Sequence, residues 1–257
     1  MIPSTAIIHP GAQLHESVRV GPYSVIDEHV TVGAGCELAP HVHLTGHTTI
    51  GAENRFHAGC VIGDAPQDLK YSCEPTRLII GERNLFREHV TIHRSNTPSE
   101  DTRIGSENFF MANSHVGHNS IIGNKAILAN GVLIAGHAMI GDGAFLAGNA
   151  VVHQFCRVGA MAMMQGCAGE SLDLPPFTIV RGINGMCGLN SVGLKRAGFS
   201  PEERSQLKKA YHAIFLSDDL LKDALEKARA EFTGVLAEQL IDFVATSQRG
   251  TCSHTKR

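Results

Sequence analysis

The sequence has no tryptophan, and aromatic residues make up only 5% of its 257 positions. It has no excess of positive charge either: the formal net charge is −3, which gives no argument for a nucleic-acid partner. No apolar run reaches the roughly 18 residues of a transmembrane helix, and no signal peptide is recognisable. The remaining composition, 43% apolar residues with 27 glycines, favours a repetitive fold of aliphatic and small residues.

A cysteine framework is also lacking. The seven cysteines are odd in number, scattered, and form no CxxC pair. This pattern predicts free thiols in a reducing compartment rather than disulfides or a zinc site. We therefore expect a cytoplasmic protein without a metal or other cofactor.

A period of six residues runs through the first two thirds of the chain. In steps of six from Ile2 to Met164, 25 of 28 positions carry Ile, Leu, Val, Phe or Met. A chain that is 43% apolar would give about 12 by chance, so the signal is strong. Six is not a helical period. It fits short strands joined by tight turns, with one large side chain per repeat pointing inward.

This is the hexapeptide pattern of a parallel β-helix. It resembles the repeat of left-handed β-helix proteins, and that resemblance supplies the handedness and the three hexapeptides per coil. The steps that miss, at Asp68, Glu74 and Pro98, lie in segments 63–78 and 94–103. Because the phase survives both gaps, we interpret these segments as extruded loops, which are frequent sites of function.

After about residue 190 the pattern becomes helical. Ser200 is the expected N-cap of one helix, with Pro201 at its first position and Glu203 completing a capping box. The apolar stripe of this helix is Leu207, Tyr211, Ile214 and Phe215. The predicted fold is mainly β, with a left-handed parallel β-helix over 1–190 and a small helical domain over 191–257. We expect the tail from residue 249 to be frayed.

One edge of the prism is predicted to carry several histidines. With three hexapeptides per coil, His118 is in register with Gly136 and Gln154, and His137 and His153 adjoin these two positions. Neighbouring rungs would lie roughly 5–8 Å apart. His115 precedes His118 on the same turn. We interpret the other histidines as solvated or structural: His9, His15, His29, His41, His43, His47, His57, His89 and His93.

Such an edge suits two chemistries. Neutral imidazole binds zinc, and carbonic anhydrases of this fold hold zinc between adjacent chains, although those chains are usually shorter and lack such helices. General-base chemistry needs one imidazole whose other nitrogen is held by a hydrogen bond.

Longer motifs carry a closer resemblance. The segments PQDLKYSCEPTRLIIGERNLFREHVTIHR (66–94), NSHVGHNSIIGNKAILANGVLIAGHAMIGDGAFLAGNAVVHQFCRVGA (113–160) and GLKRAGFS (193–200) closely resemble those of UDP-N-acetylglucosamine acyltransferases. The resemblance covers nearly the whole chain. The combination of QDLKY, HxxH, AGH, VHQF and GLKR is far more specific than the repeat alone.

The resemblance implies the first reaction of lipid A biosynthesis. A (3R)-3-hydroxyacyl chain moves from acyl carrier protein to the 3-hydroxyl of UDP-N-acetylglucosamine. Because the thioester is already activated, the reaction needs only a base for the sugar proton and a donor for the oxyanion. Family members are homotrimers with active sites between subunits.

The resemblance also implies residue roles. His118 would be the general base, and the backbone N–H of Gly136 would be the oxyanion donor. Asp68 and Lys70, with Gln67 beside them, would hold the sugar and its diphosphate. The other expected substrate contacts are His115, His137, His153, Gln154, Asn190 and Arg196. Basic side chains that would attract the acidic carrier protein are Lys195, Arg204, Lys208 and Lys209.

The chain departs from the family pattern at several positions. Asn119 follows the base histidine where relatives often have Asp, and an amide can orient an imidazolium but cannot neutralise it. Relative to the family pattern, Val192 and Ala197 replace a Glu and an Arg, and one residue is deleted before Asn190, so the UDP contacts would differ.

The family's acyl-length position corresponds to Gly166, where glycine leaves room and favours a longer chain. Met163, Met164 and Gln165 crowd the same region, however, and Asn184 stands where some relatives have a length-setting histidine. The alternatives to O-acylation are N-acylation of a 3-amino UDP-sugar, a zinc-dependent hydratase and a noncatalytic scaffold.

Overall fold

The structure is a computed structural model that describes residues 2–255. Its strands are β1 Ile7–Ile8, β2 Gln13–Leu14, β3 Arg19–Val20, β4 Val25–Ile26, β5 Thr31–Val32, β6 Glu37–Leu38, β7 His43–Leu44, β8 His47–Ile50, β9 Arg55–Phe56, β10 Val61–Asp64, β11 Arg77–Ile80, β12 Leu85–Phe86, β13 Thr91–His93, β14 Asp101–Ile104, β15 Phe109–Phe110, β16 His115–Val116, β17 Ile121–Ile122, β18 Ile127–Leu128, β19 Leu133–Ile134, β20 Met139–Ile140, β21 Phe145–Leu146, β22 Val151–Val152, β23 Arg157–Val158, β24 Met163–Met164, β25 Gly169–Glu170, β26 Thr178–Arg181, β27 Gly185–Leu189 and β28 Ser253–His254. The helices are α1 Ser191–Arg196, α2 Pro201–Phe215, α3 Leu221–Glu231 and α4 Val235–Ala245.

The strands form three sheets, and each coil gives one strand to each sheet. The first sheet has the order β1-β4-β7-β10-β13-β16-β19-β22-β25 and the second β2-β5-β8-β11-β14-β17-β20-β23. The third contains β3, β6, β9, β12, β15, β18, β21, β24, β26, β27 and β28 in this order. Strands of successive coils pair in parallel, and β27 turns back antiparallel to β26. The predicted fold class, a left-handed parallel β-helix of hexapeptide repeats followed by helices, is confirmed.

The periodic apolar residues form the core of the prism. All of the 25 are buried except Ile2, which is exposed, and Ile8 and Leu14, which are partly buried at the open N-terminal end. Where phenylalanine occupies this position on successive coils the rings stack: Phe86 lies 4.7 Å from Phe56 and 4.9 Å from Phe110, between ring centroids. Burial of each such ring contributes roughly 1.5–3 kcal/mol.

Two loops leave the prism. The first loop, residues 65–76, connects β10 to β11, and the second loop, residues 94–100, connects β13 to β14. Strand pairing extends into both predicted loop segments, so the loops are shorter than 63–78 and 94–103. Both loops connect the first sheet to the second, so they emerge from one corner of the prism.

The helices pack at the C-terminal end of the prism. The predicted capping box is confirmed, because Ser200 Oγ accepts from Glu203 N and the Glu203 carboxylate accepts from Ser200 N. Arg157 ties the helices to the prism: its Nη2 donates to the Phe243 carbonyl over 2.9 Å, and its Nε donates to buried Asp173 over 2.8 Å.

The prediction of a frayed tail is wrong for residues 249–255. Ser253 and His254 form β28, which pairs with β27, and Cys252 is buried. His254 Nδ1 also lies 2.7 Å from the Tyr211 hydroxyl, so helix α2 helps to hold the tail. Lys256 and Arg257 lie outside the described residues. None of the described helices is long and apolar enough to cross a membrane.

Candidate active site

The histidine edge lies at the corner from which the two loops emerge. We call this the loop-bearing corner: loops 65–76 and 94–100, followed by turns 117–120, 135–138 and 153–156. His118, Gly136 and Gln154 occupy the same position on the last three turns, since His115 pairs with Leu133 and Leu133 with Val151. At this corner two loops of different length are therefore followed by three turns of four residues each.

His118 is oriented by its neighbour in sequence. His118 Nδ1 lies 2.8 Å from Asn119 Oδ1. Asn119 has φ 58°, a left-handed conformation that asparagine tolerates well. Asn119 itself is buried.

The hydrogen bonds of Asn119 determine which way its amide points. Its Oδ1 accepts from the backbone N–H of Asn96 over 3.0 Å, and its Nδ2 donates to Glu100 Oε2 over 2.8 Å. Its Nδ2 also donates over 3.0 Å to Ser95 Oγ, which in turn donates to a backbone carbonyl. If the amide were flipped, its oxygen would face the Glu100 carboxylate and its NH2 group would face the Asn96 N–H, and both contacts would be repulsive.

The orientation of the Asn119 amide determines the tautomer of neutral His118. Since Asn119 Oδ1 can only accept, the neutral imidazole must carry its proton on Nδ1. Its Nε2 is then an unprotonated acceptor, and it has no hydrogen-bond partner within residues 2–255. This is the arrangement that a general base requires.

Gly136 lies directly against the His118 ring. A Cβ at Gly136 would lie 2.8 Å from both Cε1 and Nε2 of His118, so only glycine fits there without moving the ring. The Gly136 N–H has no acceptor in the described part of the chain, whereas the next N–H, of His137, donates to the His118 carbonyl over 2.9 Å. An unpaired N–H therefore lies beside the free ring nitrogen.

His137 forms the outer wall of this group. Its ring meets His118 edge to face at 5.2 Å and stacks on Phe155 at 4.7 Å. Burial, followed by the nearby His118 charge, lowers the pKa of His137. Glu100 opposes that shift, with Oε2 3.7 Å from His137 Nδ1.

His115 and His93 form the inner wall. Burial, with further contributions from the charges of His93 and His118, lowers the pKa of His115 to about 4, so this ring is neutral at ordinary pH. Its Nδ1 lies 2.8 Å from Thr91 Oγ1. Burial also lowers the pKa of His93, whose Nδ1 has no hydrogen-bond partner among the described residues.

A groove of about 600 Å³ runs along this corner and the adjoining face of the first sheet. Polar groups line one end, and the half-exposed side chains of Leu133 and Val151 line the other. The lining residues are Gln67, His93, His115, Gly117, His118, Leu133, Ile134, Ala135, Gly136, Val151, Val152 and Gln154.

The first loop folds over the polar end. Asp68 Oδ1 accepts from Lys70 N over 3.0 Å, and Oδ2 accepts from Asn96 Nδ2 over 2.7 Å. These two bonds, together with the charges of His118 and Lys70, lower the pKa of Asp68. Arg94, at the base of the second loop, holds the first loop by donating to the Tyr71 hydroxyl over 3.2 Å. Asp68, Lys70 and His118 are thus brought to one region.

Other predicted site residues lie outside the groove. His153 is exposed, and its Nδ1 donates to the Gln154 carbonyl over 3.2 Å. Asn190 caps α1, accepting from Gly193 N over 3.0 Å, and its Nδ2 donates to the Met161 carbonyl over 3.0 Å. Arg196 is exposed at the end of α1.

Gly166 lies in the turn between β24 and β25, at the corner between the third and first sheets. The nearest atom to a Cβ built there is Gly148 O at 3.5 Å, so the position has space for a side chain. Asn184 uses its Oδ1 to accept from Ser171 N over 2.8 Å, and its Nδ2 donates to Ser171 Oγ.

Sequence reasoning missed three residues of this site. The sequence places His93 among the solvated or structural histidines, whereas the structure places it in the groove wall, buried and 4.8 Å from the His115 ring. Asn96 and Glu100 belong to the second loop and received no role. The two loops break the 18-residue spacing, so counting back from His118 does not reach these positions. The one available signal was that both loops share the corner of His118.

The described residues contain no group of three or more His, Cys, Asp or Glu side chains arranged to hold a metal ion. What they contain is the His118 imidazole held by Asn119, the unpaired N–H of Gly136 beside it, and a groove with a polar and an apolar end.

The chain is similar to known proteins over nearly its whole length. The family model "Udp N-acetylglucosamine O-acyltransferase; Domain 2" matches residues 173–252, and "Bacterial transferase hexapeptide (six repeats)" matches 11–46 and 101–136. An acyl-[acyl-carrier-protein]–UDP-N-acetylglucosamine O-acyltransferase of Herminiimonas arsenicoxydans is 45% identical, covering 97% of this chain and 98% of the relative. Its counterpart in Anaeromyxobacter sp. (strain Fw109-5) is 44% identical, covering 96% and 97%.

The structural comparison covers the whole molecule. The crystal structure of UDP-N-acetylglucosamine acyltransferase from Francisella novicida superimposes with a TM-score of 0.94 at 36% identity, covering 100% of this chain and 95% of that one. Identity of this extent over both the prism and the helices shows common descent as well as a common fold. The chain therefore belongs to the acyl-[acyl-carrier-protein]–UDP-N-acetylglucosamine O-acyltransferase family.

Proposed function

We propose that this protein transfers a (3R)-3-hydroxyacyl chain from acyl carrier protein to the 3-hydroxyl of UDP-N-acetylglucosamine, with His118 as the general base. The relatives' names give the donor class and the acceptor. The observation that carries the base assignment is the Asn119 contact, because in the neutral ring it leaves His118 Nε2 unprotonated, next to Gly136 and without a hydrogen-bond partner among the described residues.

In the proposed reaction His118 Nε2 takes the proton of the sugar 3-hydroxyl while the oxygen attacks the thioester carbon. The carbonyl π electrons move to oxygen, and the Gly136 N–H stabilises the oxyanion that results. When the tetrahedral intermediate collapses, the C–S bond breaks and the thiolate takes the proton from the imidazolium. The base is thereby regenerated, and neither a covalent enzyme intermediate nor a cofactor is needed.

The sugar nucleotide is proposed to bind at the polar end of the groove. Asp68 would accept from sugar hydroxyls, and Lys70 would meet the diphosphate. Gln67 and Gln154 line the groove, and the neutral ring of His115 can donate or accept a hydrogen bond there. His137 would close the outer side.

The acyl chain is proposed to lie on the apolar face formed by Leu133 and Val151. Both side chains point outward from the first sheet and are nearly half exposed. Leu133 pairs with His115 on the preceding strand of this sheet, and Val151 pairs with Leu133 on the next. Continuing along this sheet, the chain would approach the corner of Gly166, where the free space would favour a longer acyl group.

The groove is open along its side, so we propose that a neighbouring subunit completes it in a homotrimer. His153, Asn190 and Arg196 lie outside the groove, and we propose that they meet the nucleotide at such a junction. The basic side chains proposed to attract acyl carrier protein lie on α1 and α2: Lys195, Arg204, Lys208 and Lys209.

The test is an acyl-transfer assay, followed by mass spectrometry, on metal-stripped protein. It pairs a panel of 3-hydroxyacyl carrier proteins with UDP-N-acetylglucosamine and, separately, with its 3-amino analogue. We expect a monoacylated sugar nucleotide from the natural sugar, lost in His118→Ala and kept in His41→Ala. His41 is a matched control because it lies in a turn at another corner, stacked on Tyr23.

Three results would contradict the proposal. Preference for the 3-amino sugar would make the protein an N-acyltransferase of the same fold. Activity only after zinc is restored would indicate a different chemistry. Full activity in His118→Ala would leave the reaction in place but remove the proposed base.

A further inference from the structure

Within residues 2–255, no carboxylate forms a direct ion pair or hydrogen bond with His118. When His118 takes the sugar proton it gains a positive charge, and Asn119, which contacts its Nδ1, is neutral. An amide oxygen orients the ring, but a negative charge is what stabilises an imidazolium. The charged and titratable groups around His118 are Asp68 from the first loop, Glu100 from the second, and the histidines His93, His115 and His137.

Glu100 is joined to His118 through a continuous chain of hydrogen bonds. His118 Nδ1 donates to Asn119 Oδ1 over 2.8 Å, and Asn119 Nδ2 donates to Glu100 Oε2 over 2.8 Å. The two bonds share one planar amide, so a negative charge on Glu100 polarises the amide toward a more negative Oδ1. Bonds in such chains strengthen one another.

The same carboxylate faces His137. Glu100 Oε2 lies 3.7 Å from His137 Nδ1, and the His137 ring meets the His118 ring edge to face at 5.2 Å. The carboxylate therefore contacts one of the two rings directly and is connected to the other through the Asn119 amide. The side chain of Glu100 is 57% exposed, so water screens its charge in the open groove. Bound substrate would exclude part of this water, and the field of the carboxylate would then act more strongly on His118.

We propose that Glu100 is a positioning residue of this active site, supplying through the Asn119 amide the negative charge that stabilises the protonated His118. This inference rests on the proposed function of His118. It also gives His118 a negative charge although position 119 is an asparagine. The carboxylate comes from Glu100 in the second loop, and the Asn119 amide lies between it and the base.

A purely structural role for Glu100 predicts different behaviour. The second loop is also held by Ser95, which accepts from Asn119 Nδ2, and by Asn96, whose N–H donates to Asn119 Oδ1. Glu100→Gln keeps an oxygen that can accept from Asn119 and removes only the charge. It therefore separates the charge from the anchoring of the loop, whereas Glu100→Ala removes both.

The experiment measures kcat and KM for UDP-N-acetylglucosamine, together with the pH profile of kcat/KM, in wild type, Glu100→Gln, Glu100→Ala and the double variant Glu100→Gln with Asn119→Asp. Glu53→Gln is the matched control, since Glu53 is an exposed turn glutamate at another corner. In Glu100→Gln we expect kcat to fall about tenfold to hundredfold, the range seen for partners of metal-bound histidines. KM should change little.

Two further readouts distinguish a charge effect from a structural one. The acidic limb of the pH profile should move to lower pH in Glu100→Gln, because an imidazole without a nearby negative charge stays unprotonated at lower pH. Adding Asn119→Asp to that variant should restore most of kcat, since it places a carboxylate directly on His118 Nδ1.

The inference is overturned if Glu100→Gln keeps the wild-type kcat and pH profile. It is also overturned if the losses appear mainly in KM or are not reversed by Asn119→Asp, because those results indicate loop anchoring. An inactive wild type would instead refute the proposed function itself, so the two failures are distinguishable.

Discussion

Gly136→Ala tests whether the glycine serves the His118 ring. The added Cβ would lie 2.8 Å from Cε1 and Nε2 of His118, whereas carbon atoms pack best at about 3.5–4.0 Å. The ring must therefore move by roughly 1 Å, and its 2.8 Å bond to Asn119 Oδ1 would lengthen past hydrogen-bonding distance. The backbone N–H of residue 136 is retained, so the substitution displaces the base without removing the proposed oxyanion donor.

The expected effect on activity is large. A misplacement of about 1 Å can lower a rate on the order of a hundredfold, which corresponds to about 2.7 kcal/mol in the activation free energy. The expected effect on stability is small. Gly136 does not adopt a left-handed φ, so alanine fits its backbone conformation, and the free energy of unfolding should change by no more than about 1 kcal/mol.

The assay compares kcat and urea unfolding of Gly136→Ala with those of Gly148→Ala under one acyl donor. A Cβ at Gly148 meets nothing closer than Asn130 O at 3.5 Å, so this control adds the same methyl group without a clash. We expect Gly148→Ala to keep its activity with that donor. A Gly136→Ala enzyme with wild-type kcat would refute the reasoning, because it would mean that neither the position of the ring nor its bond to Asn119 limits the reaction.

Three further predictions concern stability. Burial raises the pKa of Glu170 to about 7 from an ordinary 4.5, so folding favours its protonated form and stability should fall as pH rises through this range. Glu170→Gln should remove this pH dependence and, above pH 7, raise the free energy of unfolding by on the order of 3 kcal/mol. Urea unfolding at several pH values measures both effects, and an unchanged pH dependence in the variant would exclude Glu170 as its source. Tyr211→Phe deletes the 2.7 Å contact with His254 and should cost about 1 kcal/mol in urea unfolding, with faster hydrogen exchange in the tail; unaltered exchange would mean that the contact does not hold the tail. Phe86→Ala empties the centre of the phenylalanine stack and should cost about 3–5 kcal/mol; a loss below 1 kcal/mol would indicate that the prism collapses around the gap.

Local sequence rules predicted much of the fold because each acts over a short distance. The six-residue period specifies which side chain enters the prism, and from Val20 to Met164 every apolar residue in that phase is buried. The capping box at Ser200 required only residues 200–203, and it formed as predicted. The prediction for the tail was wrong because the tail is ordered by contacts with β27 and with the Tyr211 hydroxyl, which are far away in sequence.

The candidate site was predictable where the coil length is constant. His118, Gly136 and Gln154 are separated by 18 residues each, so three hexapeptides per coil, as the resemblance implies, stack them on one corner. The roles proposed for them remain predictions. His93, Asn96 and Glu100 lie before His118 across two loops of unequal length, and no fixed spacing connects them to it.

The sequence by itself determined the repeat and the position of both loops in the chain, because these depend on a period of six that every coil repeats. With three hexapeptides per coil supplied by the family resemblance, the same period also located the corner that carries His118. Only the tertiary structure decided which ring nitrogen of neutral His118 carries the proton. That depends on the orientation of the Asn119 amide, which is held between the N–H of Asn96 and the carboxylate of Glu100, both in the second loop on the preceding coil. Hydrogen bonds between side chains on different coils follow from angles and distances of a few ångströms, and no pattern of residue types along one chain encodes these directly.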